Sequence, residues 1–553
     1  MNNWWKSGGP YIWLNAGAVS VSMVMVFGLI VLIVIRGMGN FWPHAIVQFD
    51  YQANGQSETV IGALRKTETL TAQALRDAGV VLPEDQALVT RHLFKLANRD
   101  VTGRDFAYFI ENFMGEWSYP KALTVFERRQ WGDFYGFPKA LLERGEVIIE
   151  GDGLDDALWA EFNARLERAN NLAEEIRHIE RHEIGAINYQ IEQIRLDKRR
   201  AELKNELTDA VLAELDQRRE ALNAEYAQLQ ERLNALASQV SRDAIVMEVA
   251  GGEEVTIALQ DIVKAWQPNN MSVMSKVGFY LSDFKDFIFG YPREANTEGG
   301  IFPAIFGTVT MVFVMSIIVT PFGVLAAIYL REYARQGPLL KVIRISVYNL
   351  AGVPSIVFGV FGLGFFVYIV GGTIDQVFYP EALPSPTFGS PGLFWASLTL
   401  ALLTLPVVIV ATEEGLARIP STVRQGSLAL GATKSETLWK VVVPLATPAM
   451  MTGLILAIAR AAGEVAPLML VGVVKLAPSL PIDGNFPYIH LDRQIMHLGF
   501  HIYDVGFQSP HAEAAEQLVY ATSLVLVVLI VGLNLTAIYI RNHLREKYRA
   551  EGD

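Results

Sequence analysis

Two charged residues stand inside an otherwise apolar stretch in the last third of the chain. Arg460 and Glu464 belong to the sequence ARAAGEVAPLM (459–469), within an apolar segment that runs over residues 448–474. If that segment is one helix, its rise of about 1.5 Å per residue places Arg460 roughly 18 Å from the start. A hydrocarbon layer is about 30 Å thick, so this position is close to its middle. The spacing of four residues puts both side chains on one helix face, where they can pair.

A charge at that depth needs a reason. It costs on the order of 3 kcal/mol on insertion scales, and such residues face a bundle interior or a pathway. One interpretation is a structural ion pair that locks the helices together. The other is a substrate pathway in which Arg460 meets the substrate, and the loop before this helix favours it.

The composition identifies a membrane protein with a soluble part. Hydrophobic residues make up 51% of the 553 residues, and the length suggests more than one domain. Charged residues crowd between about residue 50 and residue 295. The net charge of −12 argues against a nucleic-acid binder. Cysteine is absent, which excludes a disulfide framework, a thiolate metal site and a thiol nucleophile.

Six segments are long and apolar enough to cross a membrane. They are residues 17–35, 304–330, 347–370, 393–410, 448–474 and 518–540. Within them, Arg460 is the only basic residue and Glu464 the only acidic one. The first segment has no convincing cleavage site, so we expect a retained anchor rather than a signal peptide. The chain is predicted to be an α-helical polytopic membrane protein with six transmembrane helices.

Basic residues in the loops predict the orientation. The loops after the second and fourth spans, and the tail after the sixth, each carry four Lys or Arg residues. Residues 371–392 carry none, and residues 475–517 carry only Lys475 and Arg493. Both chain ends and the two basic loops are therefore predicted to be cytoplasmic, with residues 37–300 on the outside.

The outer segment is predicted to have an α+β fold. Residues 45–51, 59–64, 146–150, 244–249 and 255–259 have the pattern of strands. Between them, residues 155–240 are helical. A 4-3-4-3-4 spacing from Leu222 to Val240 predicts a coiled-coil seam, and the pattern shifts at residues 204–209, as at a hairpin tip. His178 and His182 are spaced for a metal site, but solvated face residues are the better interpretation.

The loop before Arg460 carries the most specific signal. SLALGATKSETLWKVVVPLATPAMMTG (427–453) predicts a short helix, a break at Gly431, a second amphipathic helix, and Pro444 before the next span. A helix-Gly-helix unit of this kind is expected to lie on the membrane surface, where its protruding turn can contact a partner. The chain contains no G-x-x-x-x-G-K-[ST], so ATP is not bound by that route and a partner must supply the site.

Three motifs together resemble a known family. The loop from Gly431 to Pro444 resembles the EAA loop of ABC-transporter permeases. With AGVPSIVFGVFGLGFF (351–366) and ARAAGEVAPLM, it looks like the permease subunits of phosphate ABC transporters. The resemblance covers about residues 300–540. One departure is that the acidic-Ala-Ala opening of the family loop is Gln425-Gly426-Ser427 here.

The resemblance implies a permease half in a bacterial inner membrane, with the outer segment in the periplasm. It implies a homologous second permease, two ATP-binding subunits and a periplasmic phosphate-binding protein as partners. The chain itself is expected to bind no cofactor and to be no enzyme, because ATP and Mg would be on the ATPase. The residues expected to couple to that ATPase are Gln425, Gly426, Ser427, Gly431, Ala432 and Pro444. Arg460 offers planar donors suited to a phosphate oxyanion, and Glu464 holds it or tunes the site.

The predicted organisation has four parts. They are an N-terminal span (1–36), a periplasmic insert (37–300), a permease domain (301–540) whose cytoplasmic coupling loop is 411–447, and a basic tail (541–553). Two alternatives remain open. The same scaffold would serve another oxyanion such as sulfate or molybdate, and a different class is a membrane-anchored sensor or receptor, which would need only one or two spans.

Overall fold

The computed structural model describes residues 8–53, 55–77, 80, 83, 86–509 and 515–550. The chain folds as two compact units. Residues up to Asn40, Ile301–Ser509 and those from Ala515 onward form the membrane unit, and Phe41–Gly300 form the insert. Residues 1–7 of the predicted N-terminal segment and residues 551–553 of the predicted tail lie outside the described residues.

Helix α1 (Gly9–Met38) has the length and hydropathy of a membrane span. Pro10 lies in its first turn. The N–H groups of this turn make no hydrogen bond within the helix, so the N–H that proline lacks is not missed there. Near the other end, a Cβ atom on Gly37 would lie 2.8 Å from the carbonyl oxygen of Tyr520. The missing side chain at Gly37 therefore lets the first and last spans touch.

The insert contains two larger antiparallel sheets and one two-stranded ribbon. The first sheet has the order β1-β2-β3-β4, and the second has the order β10-β5-β6-β8-β9 with β7 also paired to β6. Short helices α2 (Ala72–Asp77) and α3 (Arg99–Thr102) lie between strands of the first sheet. The five strands predicted from the sequence correspond to β1, β2, β7, β8 and β9. The strands are β1 (Ile46–Ala53), β2 (Gln56–Thr71), β3 (Leu88–Lys95), β4 (Phe106–Ile110), β5 (Thr124–Arg128), β6 (Asp133–Glu143), β7 (Glu146–Glu150), β8 (Asp243–Glu248), β9 (Glu254–Ala258), β10 (Ile262–Trp266), β11 (Pro292–Arg293) and β12 (Glu298–Gly299).

A helical hairpin connects β7 to β8. Helices α4 (Asp156–His178) and α5 (Gly185–Leu203), joined by a π-helical turn, form the first arm, and α6 (Asp209–Val240) forms the second. The chain reverses between the arms at the predicted position, where Asn205 has a φ of 56°. Asparagine tolerates this left-handed conformation better than most residues.

The residues of the predicted coiled-coil seam differ in how deeply they are buried. Leu236 and Val240 are buried, whereas Tyr226, further from the sheet, is 38% exposed. At the root, Asp243 accepts hydrogen bonds from Arg165 at 2.6 Å and Arg168 at 3.0 Å, both on α4. This buried carboxylate joins the first arm to strand β8, so the hairpin leaves the sheet at a fixed point.

Helix α7 (Val273–Phe289) follows β10 and precedes the two-stranded ribbon of β11 and β12. Its N-terminus is capped by Ser272, whose hydroxyl accepts from the backbone N–H of Ser275. The insert ends at Gly300.

The membrane unit is helical, with six helices of the described chain long and apolar enough to span a membrane. These are Gly9–Phe41, Phe302–Tyr333, Ser355–Phe378, Leu393–Arg418, Lys434–Gly463 and Glu516–Glu546. Several spans include π-helical turns, which join the helical segments on either side. The helices are α8 (Phe302–Ile328), α9 (Pro338–Leu350), α10 (Ser355–Phe361), α11 (Gly372–Phe378), α12 (Leu393–Arg418), α13 (Ser421–Ala429), α14 (Lys434–Thr437), α15 (Val443–Gly463), α16 (Leu468–Val471), α17 (Leu498–Tyr503) and α18 (Glu516–Ala550).

The third and fourth spans have other bounds than the sequence predicts. The third begins at Ser355 rather than at residue 347, because Pro354 can start a helix but not continue the preceding one. The fourth continues past residue 410 to Arg418, and thereby includes Glu413. This carboxylate lies 2.5 Å from Arg344, which stabilises its charge within the helix. The first part of the predicted loop 411–447 is therefore helix.

Helices α8, α12 and α15 form the core of the membrane unit. Met311, Leu400 and Ala461, one from each helix, are buried in a single apolar cluster. The hydroxyl of Ser397 donates to the carbonyl oxygen of Met311, so that a buried polar group on α12 is satisfied by α8. This core supports the helices that carry the two predicted functional regions.

Candidate functional site

Arg460 does not lie in the middle of its span, and that prediction is wrong. The fifth span is one helical run from Lys434 to Gly463, so Arg460 lies roughly 39 Å along it, in its last turn. Glu464 is already outside the helix, with an extended backbone. Gly463 and Pro467 explain the end, since glycine weakens a helix and proline cannot continue one. Hydropathy alone merged the apolar residues after the break with the helix before it.

The two side chains nevertheless meet. The Nε atom of Arg460 lies 3.5 Å from Oε1 of Glu464, and the side chains are 32% and 21% exposed. In the described part of the chain, the two Nη nitrogens of Arg460 have no hydrogen-bond partner. The guanidinium is thus held at one edge, and its outer edge can donate to a ligand.

The other basic residues of the following segment are engaged differently. Arg493 donates to Asp483 at 2.6 Å and to the carbonyl oxygen of Leu480 at 2.7 Å. Burial opposes ionisation of Asp483, but hydrogen bonds from Arg493 and neighbouring groups lower its pKa to about 2. Lys475 lies 3.0 Å from Asp504. Arg493 therefore fixes the loop, and Arg460 is the better candidate for a substrate.

Two of the sequence motifs pack against each other. Within 351–366, a Cβ atom on Gly359 would lie 2.7 Å from the Cα atom of Pro467 in the motif around Arg460. A Cβ atom on Gly362 would overlap the hydroxyl of Thr399. These glycines allow α10 and its π-helical continuation to approach the broken end of the fifth span. The structure thus gives the glycines of this motif a packing role.

The helix-Gly-helix prediction is confirmed in outline. Helix α13 ends before Gly431, which has a φ of 88° and where a Cβ atom would meet nothing within 4 Å. Thr433 then starts the next helix with a capping box, in which its side chain and that of Glu436 satisfy each other's backbone N–H groups. Beside the turn, Leu430 is 91% exposed. The turn therefore leaves an apolar side chain exposed.

The six residues predicted to couple to an ATPase have different environments. Gln425 and Gly426 are exposed on α13, and Ala432 is half-buried beside the turn. The hydroxyl of Ser427 lies 2.9 Å from that of Thr437, which braces the two sides of the turn. Pro444 lies within the continuous helix rather than before it. The π-helical turn Leu438–Val442 precedes it, and such a turn accommodates a proline that lacks its hydrogen bond.

Two anchors of this loop were missed from the sequence. Arg424 donates to the carbonyl oxygens of Leu416 and Ile419 and to the carboxylate of Glu332 at 2.9 Å. Lys434 donates to the carbonyl oxygen of Glu332 at 2.6 Å. In the sequence these residues indicate only loop charge, and no spacing signal connects them to Glu332. They tie the loop to the end of the second span.

Asp375 was also missed. It is fully buried in the third span and accepts hydrogen bonds from the backbone N–H groups of Phe388 and Gly389. The prediction that Arg460 and Glu464 are the only charged residues of the spans is therefore wrong. The third and fourth helices extend over Asp375 and Glu413, and the second and fourth include Arg331 and Arg418. The role of Asp375 is to hold the following turn.

Comparison with known proteins agrees with these motifs. Residues 319–550 match the family model described as "Binding-protein-dependent transport system inner membrane component". The phosphate transport system permease protein PstA of Mycobacterium leprae is 35% identical over 269 residues, which cover 48% of this chain and 79% of that protein. PstA 1 of Mycobacterium tuberculosis is 32% identical over 246 residues, covering 44% and 71%. A chain in a structure of the MetNI methionine ABC transporter is 20% identical, and the match covers 44% of this chain and 94% of that chain with a TM-score of 0.32.

These matches define an inner-membrane permease subunit of an ABC importer, which is a transport component rather than an enzyme. Six spans and this family membership replace the alternative of a membrane-anchored sensor. Within the class, the chain belongs to the PstA family of phosphate transport permeases. The large insert is additional to the matched region, which begins at residue 319.

The contact between the two motifs gives a first prediction. Gly359→Ala should force α10 away from Pro467 and destabilise the membrane unit by about 1–3 kcal/mol. Gly364→Ala is the matched control, since a Cβ atom there meets nothing within 4 Å. Thermal unfolding of the purified chain in detergent should show a lower midpoint for the first variant and an unchanged or higher one for the second. Equal midpoints for the two variants would contradict the packing role.

Proposed function

We propose that this chain is one permease half of an ATP-driven phosphate importer. Its partners would be a homologous permease of the PstC type, two ATP-binding subunits of the PstB type and a phosphate-binding protein of the PstS type. The observation that carries the proposal is the free outer edge of Arg460, in a chain whose relatives are phosphate transport permeases.

Arg460 is suited to bind the substrate weakly. A guanidinium presents two N–H groups in one plane, which match two oxygens of a phosphate. Glu464 holds the Nε edge and leaves the Nη edge for the anion. Its negative charge also opposes anion binding, which suits a site that must release what it binds. Sulfate and molybdate have the same tetrahedral oxygens, so uptake measurements must include them.

The turn at Gly431 is proposed as the contact with the ATPase. Gln425, Gly426 and Leu430 are exposed around it, and the bond between Ser427 and Thr437 keeps its two sides together. Movement of the ATPase would reach the second span through Glu332, which Arg424 and Lys434 both contact. ATP and Mg would be bound by the partner.

The proposed orientation places both chain ends in the cytoplasm and the insert in the periplasm of a bacterial inner membrane. It rests on the basic loops. A reporter that is active only after export, inserted at Asn205 in the hairpin turn, should be active. The same reporter inserted after Leu430 should be silent. Activity after Leu430 with silence at Asn205 would invert the whole topology.

Coupling is tested at Gly431. Gly431→Asp adds a charge and bulk at the exposed turn, and we expect uptake and stimulation of the ATPase to be lost while membrane insertion stays normal. Gly431→Asn is the control, because asparagine also tolerates a positive φ but adds no charge. It should retain more uptake than the aspartate variant. Full uptake by Gly431→Asp, with its ATPase still co-purifying, would place the contact elsewhere.

Arg460 and Glu464 are tested by a double-mutant cycle. In the pathway interpretation, Arg460→Ala abolishes phosphate uptake while the complex still assembles, and adding Glu464→Ala does not rescue it. Arg460→Lys keeps the charge but loses the planar fork, so partial uptake at best is expected. The measurement is labelled phosphate uptake normalised to assembled complex.

The structural interpretation makes the opposite forecast. Removing one partner of a fully buried pair would cost about 3–5 kcal/mol. The observed exposure of both side chains makes the cost for this pair smaller, since solvent weakens an ion pair. Wild-type uptake in the double variant would establish a structural pair and remove Arg460 from the pathway.

A further inference from the structure

Helix α7 of the insert (Val273–Phe289) has three different sides. Its inner side is aromatic: Phe279 packs on Trp266 with 4.7 Å between ring centroids. Phe284 and Phe287 pack around Phe41 at 5.3 and 5.0 Å. These contacts fix the helix, so the direction of its remaining sides is determined.

A second side is apolar and exposed. Met274, Val277 and Leu281 follow one another at intervals of three and four residues, and therefore lie on one face. They are 80%, 39% and 61% exposed, and Val273 and Phe289 at the helix ends are 74% and 66% exposed. A contiguous apolar face of this kind marks an interaction site in a soluble domain. The third side is polar and includes Ser275 and Ser282, both exposed.

The residues that α7 contacts indicate what covers its apolar face. The helical run of the first span, Gly9–Phe41, ends at Phe41, the residue on which α7 packs. Trp42, the next residue, is 39% exposed and its ring lies 6.1 Å from that of Tyr280 on α7. Aromatic residues at the end of a span are typical of the membrane–water interface. Side-chain contacts thus hold α7 beside Phe41 and Trp42, the residues with which the insert begins.

We propose that α7 is an interfacial helix, whose Met274–Val277–Leu281 face lies in the boundary between lipid headgroups and acyl chains. Helices of this type are strongly amphipathic and bury their apolar face by about 5–10 Å. Lys285, four residues after Leu281, is exposed at the C-terminal end of the same face, and its long side chain can reach the headgroups while its methylene groups stay in the apolar layer. The inference depends neither on the transported substrate nor on which side of the membrane the insert occupies.

The absence of native cysteine allows a direct test. Single cysteines at Met274, Val277 and Leu281, each carrying a nitroxide spin label, are compared with Ser275→Cys and Ser282→Cys in the full chain in lipid nanodiscs. Collision with oxygen, which concentrates in acyl chains, and with a water-soluble nickel chelate is measured by power-saturation EPR. The oxygen-to-nickel accessibility ratio should be several-fold higher at the three apolar positions than at the two serines.

Two other outcomes would overturn the proposal. Accessibility to the nickel chelate at all five positions would show that the face is in water. Protection of the apolar positions from both reagents would show that protein covers it, either a second copy or another part of the chain. All five labels replace exposed side chains, so folding is not expected to change, and retained insertion of each variant into nanodiscs checks this.

Discussion

A helix that ends inside a membrane unit must have its free backbone groups satisfied by protein, because lipid offers no hydrogen bonds. The segment that follows the fifth span meets this constraint with backbone from distant segments. Gly392 donates its N–H to the carbonyl oxygen of Val471, and Val474 donates to that of Ile495. The first N–H groups of α12 are satisfied by the same loop, since Leu393 donates to Arg493. The segment after the break at Gly463–Pro467 is therefore hydrogen-bonded to the start of the fourth span.

The position of Arg460 follows from this break. If the helix continued to residue 474, Arg460 would stand within a longer helix rather than in its last turn. Because the helix ends at Gly463, Arg460 is at its rim, with one edge held by Glu464 and the other open. The glycines of the motif 351–366 make room for the irregular backbone, as the close contact of Gly359 with Pro467 demonstrates. Two motifs far apart in sequence thus form one structural feature.

The sequence predicted what depends on local properties. Six spans, a hairpin reversing near Asn205 and a helix break at Gly431 all follow from periodicity, hydropathy or turn chemistry. The ends of the spans could not be predicted in the same way, since hydropathy does not distinguish a helix from an apolar segment that turns. Glu332 and Arg424 are 92 positions apart, and their contact depends on tertiary packing. Asp375 was overlooked because its helix extends beyond the apolar window that identified the span.

The contact between Gly37 and Tyr520 has a consequence for biosynthesis. The first helix to emerge from the ribosome packs against the last, and across its most apolar part it buries nothing inside the membrane unit. At a synthesis rate of about 5–20 residues per second, residue 37 is synthesised roughly 25–100 s before residue 520. The whole segment 41–300 that forms the insert is synthesised in that interval. The contact between α1 and α18 can therefore form only after the whole insert has been synthesised.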